Sequence, residues 1–359
     1  MNEHKKILIW FRGIDDFLSS RPEVNVAGMY VQMTCWAQCL LNQGYEVLSL
    51  SSRGNYCLGG IRFIKWHKVR VIEVIHEFLG IPLILMRYNP ECLLINGADR
   101  ILKSMSLWCR LFGIKLVFIA ASDMDFSDQY GFIAGRSYNT RLYWSALRHG
   151  RMKLVVQNNE QQTALKEKFG RDSIIVPNVW TKINFITHDV LDIPAYDVVW
   201  VANIKHLKRP EWLIEIAHNL PDYSFAIAGG NGETQEYYDT IAEMAGKEPN
   251  VSFLGPLPFN AATELIKKSK LLLCTSEFEG LPNTFLQAWE SGVPIISTVD
   301  PSGVVGKYAL GSSFKTVQEA VSLIESFLSN PSRLKVLRNN VVEFYSSTYS
   351  NGLDLSTII

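Results

Sequence analysis

SEFEGLPNTFLQAWESGVP, residues 276–294, decides how this chain is read. It presents an acidic loop, a tight Gly280-Leu281-Pro282 turn, a short helix and a Gly-Val-Pro stop. Apolar, β-like runs flank it at 271–275 and 295–298. A loop that leaves the carboxyl end of a strand and opens a helix is where open α/β sheets bind phosphorylated ligands. Gly280 permits unusual dihedrals and close approach there. Thr284 and Gln287 have the T-x-x-Q spacing of a capping box, which predicts Thr284 as the cap and gives Gln287 a structural task.

Outward from this stretch, short apolar strands alternate with amphipathic helices along the whole chain. That alternation predicts parallel sheets with helices on both faces. In the first half the predicted strands are 7–11, 46–50, 92–96, 115–120 and 154–157. A helix is expected over 28–43, closed by Gly44, and another from Asn158-Asn159 to Gly170. A second series places strands at 198–201, 224–228, 251–254, 271–275 and 295–298. Pro210 suits the first turn of a helix running to Asn219. The rhythm breaks at 179–196, a polar stretch containing Pro194. The expected division is a first domain over 1–180, a linker at 181–196, a second domain over 197–331 and a terminal helical segment over 332–359.

A length of 359 residues and a 47% hydrophobic share are enough for two cores. Lys plus Arg equals Asp plus Glu at 35 each, so no global charge points to nucleic acid. The six cysteines form no CxxC pair and read as buried free thiols of a reducing compartment. The polar start shows no secretory signal pattern. The apolar run 78–86 is too short to span a bilayer, which takes roughly 20 residues. Together these features predict a cytoplasmic protein.

The 276–294 stretch resembles the nucleotide-sugar loop of the retaining family-4 glycosyltransferases, the glycosyl transferases of group 1. Their signature is a Glu, seven residues, then a second Glu. Glu279 takes the first place and Gln287 stands at the second. The resemblance is specific around 198–210 and 271–298, fair over 150–180 and diffuse before that. It implies the GT-B architecture, an α/β fold of two doubly wound Rossmann-like domains facing a central cleft, in which the last helical segment often crosses back to the first domain.

Retaining transfer from a nucleotide sugar needs a stabilised leaving diphosphate, stabilisation of positive charge at the anomeric carbon, and exclusion of water. The resemblance assigns Glu279 to donor-sugar hydroxyls near the reacting centre. Backbone donors come from the turn of Gly280, Leu281, Pro282, Asn283 and Thr284. Gln287 falls where the family's second acid holds ribose hydroxyls, and an amide can still serve hydroxyls. Cations come from 201–210, where Ala202-Asn203 replaces the usual Gly-Arg, Lys208 keeps the family's Lys position and Arg209 follows it. Two adjacent cations at a helix start oppose the dipole unless an anion is present. Asn203, Lys208 and Arg209 are therefore donor-site candidates, with Gly230 in the glycine turn 228–232 beside them. Around Leu254-Gly255-Pro256, a second turn is expected to wall the nucleobase. Gly28, in a reduced Ala27-Gly28 turn, is the candidate from the first domain.

Asp123-Met124-Asp125 has DxD spacing, but no metal is expected, because the loop around Lys208 offers metal-free neutralisation. Asp123 is read either as an acceptor ligand or base, or as a plain loop or N-cap acid. No protein nucleophile is assigned, since the family is held to use front-face attack assisted by the donor phosphate. Residues 66–70, His76, Phe78, Leu79 and 81–86 are read either as core plus a solvated face or as a surface that docks on a membrane's inner face.

The expected function is transfer of a sugar from a UDP- or GDP-sugar to a glycan or lipid-linked acceptor in surface polysaccharide assembly, with no cofactor. The alternatives are a non-catalytic nucleotide-sugar or glycan-binding module and, behind it, a nucleotide-sugar epimerase. The epimerase would need a well-placed His, a role that His149, His206 and His218 do not fill on this reading.

Overall fold

The computed structural model describes residues 5–19, 28–66, 73–121, 123–126, 137–181, 183, 194–349, 355 and 358–359. Two compact units emerge. One comprises Met1–Leu18, Met29–Asn184 and Gly352–Ile359, the other Ser19–Gly28 and Phe185–Asn351. Most of the expected linker lies outside the described residues.

In chain order the first unit has β1 (Lys6–Arg12), α1 (Ile14–Leu18), α2 (Gly28–Asn42), β2 (Glu46–Ser51), β3 (Tyr56–Leu58), β4 (Ile61–Lys65), α3 (Glu73–Tyr88), β5 (Cys92–Asn96), α4 (Leu102–Phe112), β6 (Lys115–Ile119), α5 (Ser137–His149), β7 (Lys153–Val156), α6 (Asn159–Phe169) and β8 (Ile174–Ile175). The described strands form one sheet in the order β3-β4-β2-β1-β5-β6-β7-β8. Its pairs are parallel except β3 with β4. The helix signals at α6 are realised atom by atom. Asn158 accepts the Gln161 amide, and Gly170 closes the helix in the left-handed region, φ 68°.

The second unit runs β9 (Val198–Val201), α7 (Glu211–His218), β10 (Phe225–Ala228), α8 (Gln235–Gly246), β11 (Val251–Gly255), α9 (Phe259–Lys267), β12 (Leu271–Cys274), α10 (Asn283–Glu290), β13 (Ile295–Ser297), α11 (Val304–Lys307), β14 (Gly311–Ser313), α12 (Val317–Leu328) and α13 (Pro331–Thr348). Its sheet order is β11-β10-β9-β12-β13-β14, parallel at each pair. The strand order turns back between β9 and β12. That turning point is where a doubly wound sheet opens a crevice at its carboxyl edge. The central strands are buried on both faces, with Val198, Trp200, Phe225, Ile227, Leu271 and Leu273 in one apolar cluster. Each such side chain contributes roughly 1.5–3 kcal/mol by leaving water.

Helix α13 packs on α10 and α12, within the second unit. The tail, Gly352–Ile359, groups with the first unit. Leu355 and Ile358 are buried, and the Leu355 amide donates to Gln43 Oε1 (3.3 Å). The six cysteines are unpaired. Five are buried, while Cys57 is exposed, contrary to the reading of all six as buried. Burial pushes the Cys39 thiol up to about 11 and that of Cys92 to about 12. No helix among the described residues is long and apolar enough to cross a membrane.

Asp197 pins the entry to β9. Its carboxylate accepts the Ser224 amide (2.8 Å) and hydroxyl (2.9 Å) and pairs with Lys270 (2.8 Å). Burial works against its charge, but Lys270 and Ser224 outweigh it and hold the carboxyl below its ordinary value. The stabilisation from a lowered carboxyl is full above the unfolded pKa and fades as pH falls through the folded one. Asp197→Asn should lower unfolding free energy at pH 7 by ~1–2 kcal/mol. Urea titrations should show the gap to wild type closing as the medium is taken below the ordinary Asp range.

Candidate functional site

The crevice between β9 and β12 is built by two loops, 202–210 and 275–282. Thr275, at the end of β12, ties them together. Its hydroxyl lies 2.6 Å from the Lys208 carbonyl and 2.9 Å from that of Arg209, and it accepts the Trp200 indole N–H (2.9 Å). In return Arg209 donates Nε to the Thr275 carbonyl (2.7 Å) and Nη2 to that of Ser276 (3.3 Å). The Glu277 amide donates to Leu207 O (2.9 Å). Arg209 holds a left-handed conformation, φ 46°, which a non-glycine residue adopts only under constraint. Its guanidinium lies 4.1 Å from the Trp212 ring centroid.

These ties bring the chemically important groups together. Lys208 Nζ forms an ion pair with Glu279 Oε1, which also accepts from the Ser276 hydroxyl (2.8 Å). The two side chains are only 21% and 18% exposed, so the pair stands at the lip of the crevice with limited access to water. Gly280, Leu281 and Pro282 are buried and lead into α10, whose start at Asn283 has no side-chain cap hydrogen bond. The first N–H groups of a helix attract anions, and a nearby cation adds to that attraction.

The capping box is not formed. Pro282 takes the N-cap place, which puts Thr284 inside the helix. Gln287 is 3% exposed and turns toward α9, where its Nε2 donates to Thr263 Oγ1 (2.8 Å). Asn203 follows β9, and among the described residues its side chain makes no hydrogen bond. Across the edge, the Gly230 carbonyl accepts the Ile204 amide (2.9 Å). Gly229 is required by close approach, because a Cβ there would stand 1.7 Å from the Ala202 carbonyl oxygen. Gly255 ends β11 at φ 66° and accepts the Gly229 amide (2.9 Å), joining the two glycine turns of the expected base wall.

Glu279, Lys208, Arg209, Asn203, Gly230, 280–284 and Gln287 therefore share one edge of one sheet. Arg209 reaches it as a structural tie, with two of its nitrogens held by carbonyls. No local pattern in the sequence marks Ser276, Thr275 or Thr263. Gly28 opens α2 and falls within the second unit, while Asp123 opens a short 3₁₀ turn (Asp123–Phe126) of the first unit, its side chain lying outside the described residues. The other acid of the DxD spacing, Asp125, is buried and accepts the Ala121 amide (2.6 Å), a local cap at the end of β6. Among the described residues no group of three His, Cys, Asp or Glu side chains could hold a metal ion.

Comparison with known proteins fits this geometry. Residues 191–343 match the family model of glycosyl transferases group 1. The match lies within the second unit and covers less than half of the chain. The O-antigen biosynthesis glycosyltransferase WbnH of Escherichia coli is 29% identical over 103 residues, covering 28% of this chain and 28% of the relative. The match thus spans less than a third of that relative's length. Among solved structures, sucrose-phosphate synthase of Thermosynechococcus elongatus superposes with a TM-score of 0.73 at 12% identity, over 96% of this chain and 95% of the other. WaaG, a glycosyltransferase involved in lipopolysaccharide biosynthesis, gives 0.68 at 12% identity, over 98% and 97%. These likenesses show the GT-B fold.

Replacing Thr275 by Val removes the hydroxyl and leaves the buried Trp200 N–H and two carbonyls without it. Chemical denaturation should show a loss of about 1–3 kcal/mol. Adding Trp200→Phe to Thr275→Val should recover part of that loss, because the orphaned donor is then gone.

Proposed function

We propose that the protein is a retaining, metal-independent glycosyltransferase. It moves a sugar from a UDP- or GDP-sugar to a glycan or lipid-linked acceptor in surface polysaccharide assembly, working at the cytoplasmic face of a membrane. The observation that carries this reading is the Lys208–Glu279 pair, held beside the start of α10 at the turning point of the sheet. An arriving diphosphate competes with Glu279 for the Lys208 ammonium. The released carboxylate is then a charge-assisted acceptor for sugar hydroxyls. As the bond between anomeric carbon and phosphate oxygen breaks, negative charge grows on the diphosphate, against Lys208 and the α10 amides. Groups already aimed at developing charge are the strongest source of rate acceleration. Lys208 and the helix start together supply the neutralisation that a metal gives elsewhere. Gln287 serves the ribose, Arg209 and Asn203 border the diphosphate and Gly230 the base, with Gly28 and Asp123 reserved for the donor phosphate and the acceptor.

The lipid-linked acceptor is supported by α3. Ile81, Ile84 and Leu85 face the core, while Leu79, Leu83 and Met86 form a stripe on the opposite side, each more than half exposed. An apolar stripe on a surface helix suits the interface of a membrane. Of the residues that suggested this contact, 67–70 lie outside the described set.

A binding module without turnover is the second reading, favoured by the amide of Gln287 at the second acidic place. Purified protein with mixed nucleotide sugars and a lipid-linked acceptor pool separates the two. Release of UDP or GDP is expected, and Glu279→Ala should cut turnover at least ~10²-fold. Saturable donor binding without release would favour the module, and unchanged turnover in Glu279→Ala would remove its assigned role.

A further inference from the structure

The contact between Gln287 and Thr263 has a direction. Thr263 Oγ1 donates its one proton to the Phe259 carbonyl (2.9 Å), a turn earlier on α9. A hydroxyl so committed offers its next neighbour only lone pairs, so it must be met by a donor. The donor is Gln287 Nε2, at 2.8 Å. An amide has one nitrogen and one oxygen end, and the hydrogen-bond network decides which faces which way. With nitrogen fixed on α9, Oε1 is the end left for a ligand, and among the described residues it accepts no hydrogen bond. Gln287 is 3% exposed, so little of it can meet a ligand.

We infer that Thr263 is a positioning residue. Through its bond to Phe259 it orients the Gln287 amide so that Oε1 is a neutral acceptor for a ribose hydroxyl of the nucleotide. The inference rests on the proposed function of the same crevice. It also explains why an amide, not an acid, suits position 287 in this chain. A carboxylate there would need a proton from Thr263, which could supply it only by releasing the Phe259 carbonyl. Threonine and glutamine are matched in a way that threonine and glutamate are not.

Calorimetric titration of the full chain with UDP and GDP, and with the 2′-deoxy and 3′-deoxy form of whichever binds, tests this. Wild type should prefer the ribonucleotide over at least one deoxy form by roughly tenfold, the weight of one hydrogen bond of ~1.4 kcal/mol. Thr263→Val should erase that preference, Thr263→Ser should keep it, and Gln287→Ala should erase it with no further loss on combination with Thr263→Val. A merely structural threonine would lower stability and leave the preference intact. Gln287→Glu should bind the nucleotide more weakly than wild type. It keeps the test decisive if Thr263→Val does not fold. Undiminished preference in Thr263→Val, tighter binding by Gln287→Glu, or equal binding of ribo and deoxy forms by wild type each overturns the inference while the donor site stands. Binding of neither UDP nor GDP by wild type overturns the donor site, and this inference with it.

Discussion

A single hydroxyl holds the two loops of the crevice in register. Thr275 sits where β12 ends, against the carbonyls of Lys208 and Arg209 and under the Trp200 indole. Arg209 answers from the other loop by binding the Thr275 and Ser276 carbonyls, at the expense of an unusual backbone conformation. A residue in a sparsely populated region costs on the order of 1–3 kcal/mol and persists only where its surroundings overdetermine it. Three hydrogen bonds and the stack on Trp212 are such surroundings. Because both loops leave neighbouring parallel strands, any loosening of this tie would separate Lys208 from Glu279.

That pair carries the chemistry on the proposed reading. At rest the two charges neutralise each other with little access to water, which leaves neither strongly hydrated nor fixed by a deep burial penalty. A diphosphate brings more charge than Glu279 does and can displace it. Donor binding and delivery of the carboxylate to the sugar then become one event. Ser276, which bonds the same oxygen of Glu279, keeps that carboxylate at the crevice when Lys208 leaves.

Sequence periodicity made the central strands legible, because parallel strands buried on both faces appear as unbroken apolar runs. Edge strands gave no such signal. β14 reads Gly-Ser-Ser, and β8 is only the two exposed residues Ile174–Ile175. Loop and helix starts told by a single residue type, such as Asn158 or Pro210, were legible too. Gln287 misled because T-x-x-Q is a local pattern, whereas its partner Thr263 sits on another helix and no local spacing links the two. The same holds for Thr275 and Arg209, whose contacts join segments 66 residues apart in the chain. Charge pairing across the crevice is in general invisible to a linear reading. Lys208 and Glu279 were each singled out by resemblance, and only the fold joined them.

The crystal structure of the protein with a bound nucleoside diphosphate tests the central claim most directly. Lys208 Nζ should be found within hydrogen-bond distance of a phosphate oxygen and parted from Glu279, with the diphosphate against the first turn of α10. A nucleotide seated elsewhere, or one bound there while the Lys208–Glu279 pair stays closed, would contradict it.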